Sequence, residues 1–428
     1  MVVLCSLCLI LVYVFVAGVC FHSKHMAEKA CNRRGLFHLF LLAFAVRLLF
    51  SLAMTLNHGD FYPDETFYYQ QGVRIAETLR FPYLHQMGQL VRYVGSANIA
   101  YPVINAYHTL LYPDPFLCKI TNSFLGAMVL LPVYCLAERL FSRQVALSSV
   151  VIVTFWPNLV YWSAVNLKET LVGFLIVSSM LCYHRSCFSR VALLDAGMLG
   201  FSIAALMALR IYVGVLLVSL IIVHFTVLLR PVSGLRRVGG IVLLLLLVPA
   251  IGKTTHVVAV LDSAMGLKEI QRLSEQSFSA AARHGYSMGR FDPQDPIAVP
   301  LSAAHFLFTP SPLRITCDGV ADLLKVSNLF WYVMFPFCVA GGYNLCKSDF
   351  QGAFLIIFLV LGLVLFYSLF PFLGGVRHRD QVTPLLIMLS IFGYCGRLRH
   401  KQALVWSIWV ALSVAILSFD IKHYFDLF

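Results

Sequence analysis

Long uncharged apolar runs alternate with short polar breaks along almost the whole chain. A helix crossing about 30 Å of hydrocarbon needs about 20 apolar residues. Runs of that order lie near 2–20, 36–56, 118–138, 145–166, 170–184, 192–209, 211–229, 238–259, 325–345, 350–370, 381–395 and 402–419, which predicts about twelve transmembrane helices. The stretch 350–376 carries no charge at all, whereas 192–209 and 211–229 are parted only by Arg210. The expected fold class is an all-α polytopic membrane protein. Two breaks are far longer than the rest, 57–117 and 260–324, and have room for short helices of their own.

Charge orients the spans, because Lys and Arg gather in short cytoplasmic loops. The loops 21–35, 139–144, 185–190, 230–237, 346–349 and 396–401 hold 15 of the 32 Lys and Arg, and all six fall on one side. That side is expected to be cytoplasmic. The opposite, extracytoplasmic side receives both long loops and the links 167–169 and 371–380, together with 16 of the 20 acids. The run 2–20 has neither a basic flank before it nor an A-x-A site, so cleavage as a signal peptide is not expected, and Met26 reads as an alternative start. The resulting organisation is an extra N-terminal span and basic loop (1–35), a transmembrane core (36–259) containing the first outer loop (57–117), a second outer loop (260–324) and C-terminal helices (325–428).

Composition agrees with this layout. Of 428 residues 60% are hydrophobic and 12% charged, with mean hydropathy +0.81, where a soluble chain is about 25% charged. The net charge of +12 would suggest nucleic acid in a soluble protein, but the basic cytoplasmic loops account for it and no nucleic-acid partner is expected. Most of the 12 Cys lie in apolar runs, so a secreted disulfide scaffold is excluded.

The first outer loop opens NHGDFYPDETFYYQQGVRIAETLRFPY. Pro63 suits a first helical position, and Asp64 and Glu65 follow in the first turn of a surface helix expected to run to about Leu79. Acids there are stabilised by the helix dipole. The same acids, placed just above a membrane, are also suited to take a proton from an acceptor hydroxyl. In a helix the two side chains point about 100° apart, so the two acids are not expected to perform the same task.

Outer-face cations at span ends are Lys168, Arg210, Arg377, His378 and Arg379, and fixed positive charge suits a departing phosphate. Arg210 is the best single candidate because Arg binds phosphate bidentately; it also reads as an interfacial anchor. Lys168 and Glu169 read either as site residues or as a surface ion pair capping the next helix. Arg377, His378 and Arg379 read either as phosphate ligands or as a solvated turn in which Asp380 pairs with an arginine. Arg47 interrupts the run 36–56, where a charge costs at least about 2.5 kcal/mol, so it is expected to face the bundle interior and bond backbone.

The order of these features, and the phrases YPVINAYHTLLYPDPFLCKITNSFLGAMVLLPVYCLAERLFSRQVAL, WPNLVYWSAVNLKETLVGFL, FLFTPSPLRI, LFWYVMFPFCVAGG and GGVRHRDQVTPLLIMLSIFGY, resemble the GT-C superfamily of polyprenyl-phosphate-sugar glycosyltransferases, particularly its bacterial family 39-like members. The resemblance implies a GT-C-like bundle in a bacterial inner membrane with its site on the extracytoplasmic face. It implies transfer of a sugar, with inversion, from a polyprenyl-phosphate donor to a glycan, lipid or protein acceptor. The family's first-loop carboxylate carries over onto Asp64 and Glu65, with Asp64, the first acid of the matched pair, favoured as the base. No cofactor is called for; a divalent metal has only His58 and Asp60, near Asp64, to suggest it. Cys5 and Cys8 form C-x-x-C inside an apolar helix, where packing is the ordinary reading, and Cys118 and Cys317 are the cysteines nearest the outer face.

Two other functions fit a bundle of this kind. An O-antigen polymerase or ligase handles pyrophosphate-linked glycans and is expected to depend on outer-loop Arg and His. An ion-coupled transporter places acids in mid-span, and none of the 20 acids falls there; a lipid-sugar flippase without ion coupling stays open.

Overall fold

The computed structural model describes residues 2–22, 33–57, 63–80, 100–188, 193–225, 298–308, 320–369, 376–396 and Trp409, and every regular element among them is a helix. The chain divides into two compact units, Met1–Val260 and Leu261–Phe428. The first contains α1 (Val2–His22), α2 (Arg33–Leu56), α3 (Pro63–Arg80), α4 (Ala100–Leu111), α5 (Pro115–Met128), α6 (Leu130–Leu140), α7 (Arg143–Phe155), α8 (Pro157–Ala164), α9 (Glu169–Phe188), α10 (Leu193–Leu209) and α11 (Ile211–Val223). The second contains α12 (Ala298–Phe308), α13 (Val320–Ser348), α14 (Phe350–Leu369), α15 (Val376–Asp380) and α16 (Thr383–Cys395). The expected span near 238–259, most of that near 402–419, the greater part of the second long loop, Met26, His58, Asp60 and Cys317 lie outside the described residues.

Five described segments are long and apolar enough to cross a membrane: Val2–Cys20, Arg33–Leu56, Pro115–Leu140, Ser327–Ser348 and Phe350–Ser368. The pair Arg143–Phe155 and Pro157–Ala164 makes a sixth if counted as one bent span. Leu4, Leu7, Leu11 and Phe15 recur at helical spacing along α1 and are 53–72% exposed. An apolar stripe of that size fits lipid rather than water. The described residues are those of an all-helical membrane protein.

The expected single helix 145–166 is instead two helices bent by 54°. Pro157 has no N–H to give Val153, so the α7 ladder ends there. Arg47, fully buried on α2, occupies the break: its Nη1 donates to Thr154 O at 3.0 Å and to Ala43 O at 3.1 Å, and its Nη2 donates to Val153 O at 3.2 Å. The guanidinium caps the carbonyl end of α7, where the helix dipole is negative, and so faces the interior and bonds backbone as expected. Gly126 on α5 allows this approach, because a Cβ there would meet Arg47 Nε at 3.0 Å and collide with Ser163.

The run 192–229 is divided at Arg210, where the backbone leaves the helix (φ −151°, ψ 87°) before re-entering as α11. The described pieces are 17 and 13 residues long. In the second unit α13 and α16 cross at a glycine contact. Gly341 lies against the backbone of Leu389, and Gly393 against that of Phe337, so no side chain fits at either position.

Candidate functional site

Helices α3, α4 and α5, the turn from α8 into α9 and the break at Arg210 bring buried polar side chains together in the first unit. Helix α3 begins at Pro63, close to the expected limits, but it is not simply a surface helix. Glu65, Tyr68, Ile75 and Ala76 are buried, at spacings that give one face, and that face packs on α4. Gly72 allows the contact, since a Cβ there would meet Asn105 Cβ at 2.7 Å.

Glu65 is the centre of the cluster. Its Oε1 lies 3.0 Å from Lys119 Nζ and accepts the backbone N–H of Asn166 at 3.0 Å. Both partners of the ion pair are at most 4% exposed. Glu65 Oε2 has no hydrogen-bond partner among the described residues. Lys119 and Asn122 stand three residues apart, hence on one face of α5. That helix is started by Asp114, whose side chain accepts from Phe116 N at 2.8 Å, with Pro115 at its first position.

Asn122 organises the turn between α8 and α9. Its Nδ2, with two hydrogens to give, lies within hydrogen-bond distance of three acceptors, Val165 O at 2.6 Å, Tyr101 Oη at 2.8 Å and Leu167 O at 2.9 Å. Tyr101 in turn donates to Asn166 Oδ1 at 2.8 Å. Burial pushes the Tyr101 hydroxyl well above its usual pKa, with Cys118, Glu169 and Glu65 adding to the rise and the Asn122 hydrogen bond opposing it. Tyr101 therefore stays protonated, which keeps its proton available for Asn166. The Tyr68 ring meets Tyr101 edge-on at 5.2 Å and carries Lys168 Nζ 5.5 Å from its centroid.

Lys168 and Glu169 are 5% and 3% exposed, so they are not a surface pair. Glu169 instead accepts from Arg210 Nη2, in a buried salt bridge, and Arg210 Nη1 donates to Tyr212 Oη at 2.5 Å. An interfacial anchor would be solvated; Arg210 is 9% exposed. The buried charges here are three cations, Lys119, Lys168 and Arg210, against two carboxylates, Glu65 and Glu169.

The sequence favoured Asp64, yet the carboxylate held inside the cluster is that of Glu65; Asp64 is partly exposed at the same helix start. The helix phase gives the reason, because Glu65 shares the face of Tyr68 and Gly72. Thus Glu65, Lys168, Glu169 and Arg210 are buried in one unit. Arg377, His378 and Arg379 belong to the other.

There the solvated-turn reading fails on burial, although its pairing of Asp380 with an arginine is present. His378, Arg379 and Asp380 are at most 5% exposed, while Arg377 is partly exposed. Arg379 donates to Leu307 O at 2.7 Å and Asn328 Oδ1 at 2.8 Å, stands 5.7 Å from the Trp331 ring centroid, and has Asp380 Oδ1 at 3.6 Å. Asp380 also accepts from Thr383 Oγ1 at 3.0 Å, and His378 lies on Tyr367 at 4.9 Å. Arg379 thereby fastens α12 to α13, a structural task.

Sequence reasoning missed Lys119, Asn122, Tyr101 and Asn166. The signal available was the i, i+3 pair Lys119 and Asn122 at the start of an apolar run. Among the described residues no group of three or more His, Cys, Asp or Glu is arranged to hold a metal ion. Cys118 is buried with a free thiol. The chain matches no protein-family model and no curated protein.

Proposed function

We propose that the chain is an integral membrane glycosyltransferase with a GT-C-like bundle of about twelve spans, acting on the extracytoplasmic face of a bacterial inner membrane. It moves a sugar from a polyprenyl-phosphate donor to an acceptor hydroxyl. The observation that carries this reading is Glu65: a buried carboxylate in the first outer loop, one oxygen fixed by Lys119 and a backbone N–H, the other free of protein partners among the described residues. That is the arrangement a positioned base needs.

The acceptor O–H gives its proton to Glu65 as its oxygen bonds the anomeric carbon from the face opposite the phosphate. The bond from the anomeric carbon to the phosphate oxygen breaks, and its electron pair leaves on polyprenyl phosphate. The sugar inverts, and Glu65 ends the step protonated. The leaving group is already an anion, so no strong acid is needed. Fixed positive charge helps instead, and Arg210 and Lys168 supply it, with Glu169 holding the Arg210 fork in place. The reading requires no cofactor.

The polymerase or ligase alternative would rest on Arg377, His378 and Arg379, and the structural engagement of Arg379 weighs against it. The test is donor consumption by the purified full chain in membranes, across a panel of polyprenyl-phosphate sugars. One donor consumed with release of polyprenyl phosphate supports the reading. Consumption of pyrophosphate-linked glycans alone supports the alternative.

A further inference from the structure

The turn between α8 and α9 is where the Glu65 carboxylate meets the backbone. Val165, Asn166 and Leu167 are fully buried, so their backbone groups need partners inside the protein. Val165 is extended, with φ −108° and ψ 160°. A trans peptide is planar and carries its C=O and its N–H on opposite edges, and the Val165–Asn166 peptide is gripped at both. Its N–H donates to Glu65 Oε1 at 3.0 Å, and its carbonyl oxygen lies 2.6 Å from Asn122 Nδ2. A carbonyl only accepts, so the group of Asn122 that faces the turn is its amide nitrogen. Of the three acceptors around that nitrogen, Val165 O is the nearest. Leu167 N also donates to Val165 O, at 3.0 Å, but that bond lies within the turn and moves with it. The Asn122 bond ties the peptide to α5, the helix that carries Lys119, the ion-pair partner of the same Oε1. Both partners of Oε1 are thus held from one face of one helix.

We propose that Asn122 is a positioning residue for the Glu65 base, acting through the Val165–Asn166 peptide. By holding the Val165 carbonyl it aims the Asn166 N–H at Oε1, which fixes the plane of the carboxylate and so the direction from which Oε2 takes a proton. Hydrogen bonds in a chain also polarise one another, so donation to the carbonyl strengthens donation by the N–H. The assignment rests on the glycosyl-transfer reading for the base role and on geometry alone for the link between Asn122 and Glu65.

The two parts are tested separately. Val165–Asn166 is the one Val–Asn pair in the sequence, so labelling the valine carbonyl carbon and the asparagine backbone nitrogen leaves a single amide peak in a carbonyl-edited NMR spectrum of the full chain in nanodiscs. Glu65→Gln removes the charge that the N–H donates to and should move the amide proton to higher field. Asn122→Ala should move the same proton the same way, together with the Val165 carbonyl carbon. In turnover, kcat for a polyprenyl-phosphate sugar should fall by about tenfold to about 10²-fold in Asn122→Ala, the loss that misplacing a reacting group by about 1 Å can reach. It should fall no further when Asn122→Ala is added to Glu65→Gln, because the base that Asn122 aims is already gone. A role in packing alone would lower turnover by the same factor in both backgrounds. Asn122→Leu, which keeps the branched shape and has no hydrogen to give, should act in the same direction, so either variant, folded, decides the matter. An amide proton that stays in place in a folded Asn122 variant, or in Glu65→Gln, overturns the link. Losses that multiply overturn the positioning role and leave the transferase reading standing. A parent chain that consumes no donor overturns that reading, and the spectrum, recorded without donor, still decides whether Asn122 aims the Asn166 N–H at Glu65.

Discussion

Replacing Lys119 by Met keeps the length of the side chain and removes its charge. At the observed 3.0 Å the Coulomb attraction to Glu65, at an effective dielectric constant of about 20, is about 5 kcal/mol. Most of this is offset by the desolvation of two buried ions, so the intact pair adds little net stability. Breaking it is different, because the surviving carboxylate keeps one backbone N–H and loses its counter-ion. The expected loss is about 3–5 kcal/mol. Glu65→Gln should cost a similar amount by stranding Lys119. The double variant, with neither charge stranded, should cost less than the sum by at least about 2–3 kcal/mol. Unfolding of the purified chain in bicelles, titrated with SDS for all four proteins, measures the cycle. Costs that add to within about 0.5 kcal/mol, as for independent sites, would refute the pairing and with it the geometry around Oε1.

Two further outcomes follow from other parts of the first unit. Arg47→Leu should destabilise the chain by about 2–5 kcal/mol in the same assay, since it strands the Val153 and Thr154 carbonyls at about 1–3 kcal/mol each; a loss below about 1 kcal/mol would show that these carbonyls have other donors. Arg210→Ala should weaken donor use strongly and Arg210→Lys recover it in part, because Lys lacks the bidentate fork; donor titration of both variants checks this, and unchanged donor dependence in the Ala variant would return Arg210 to a purely structural salt bridge with Glu169.

What the sequence made legible follows a physical division. Local signals were readable: Pro63 followed by two acids starts α3 where expected, and a charge in mid-span, Arg47, had to turn inward and find carbonyls. The choice between Asp64 and Glu65 was also present in the helix phase, since Tyr68, Gly72 and Ile75 mark the packed face and Glu65 lies on it. The remainder was not readable from local pattern. Asn166 and Glu65 meet across 101 residues of sequence and Arg210 and Glu169 across 41, and such pairings leave no periodic trace. Lys119 resembles an ordinary charge at a span end until α3 and the turn at 165–168 are seen to close over it. The bend inside 145–166 is hidden by the apolar run around it, in which Pro157 ends the α7 ladder.

The central claim is that the Glu65 carboxylate is the base of a glycosyl transfer, and single-carboxylate variants test it most directly. Turnover of a polyprenyl-phosphate sugar consumed by the parent chain is compared in Glu65→Gln and Asp64→Asn at equal amounts of folded protein, with donor binding measured separately. Removing a general base costs typically about 10²–10⁴-fold, whereas losing one helix-dipole interaction costs only about 0.3–1 kcal/mol. Glu65→Gln should therefore lose turnover by about 10²-fold or more while still binding donor, and Asp64→Asn should stay within about tenfold of the parent. Near-normal turnover in Glu65→Gln would contradict the account and leave Glu65 as the buried counter-ion of Lys119.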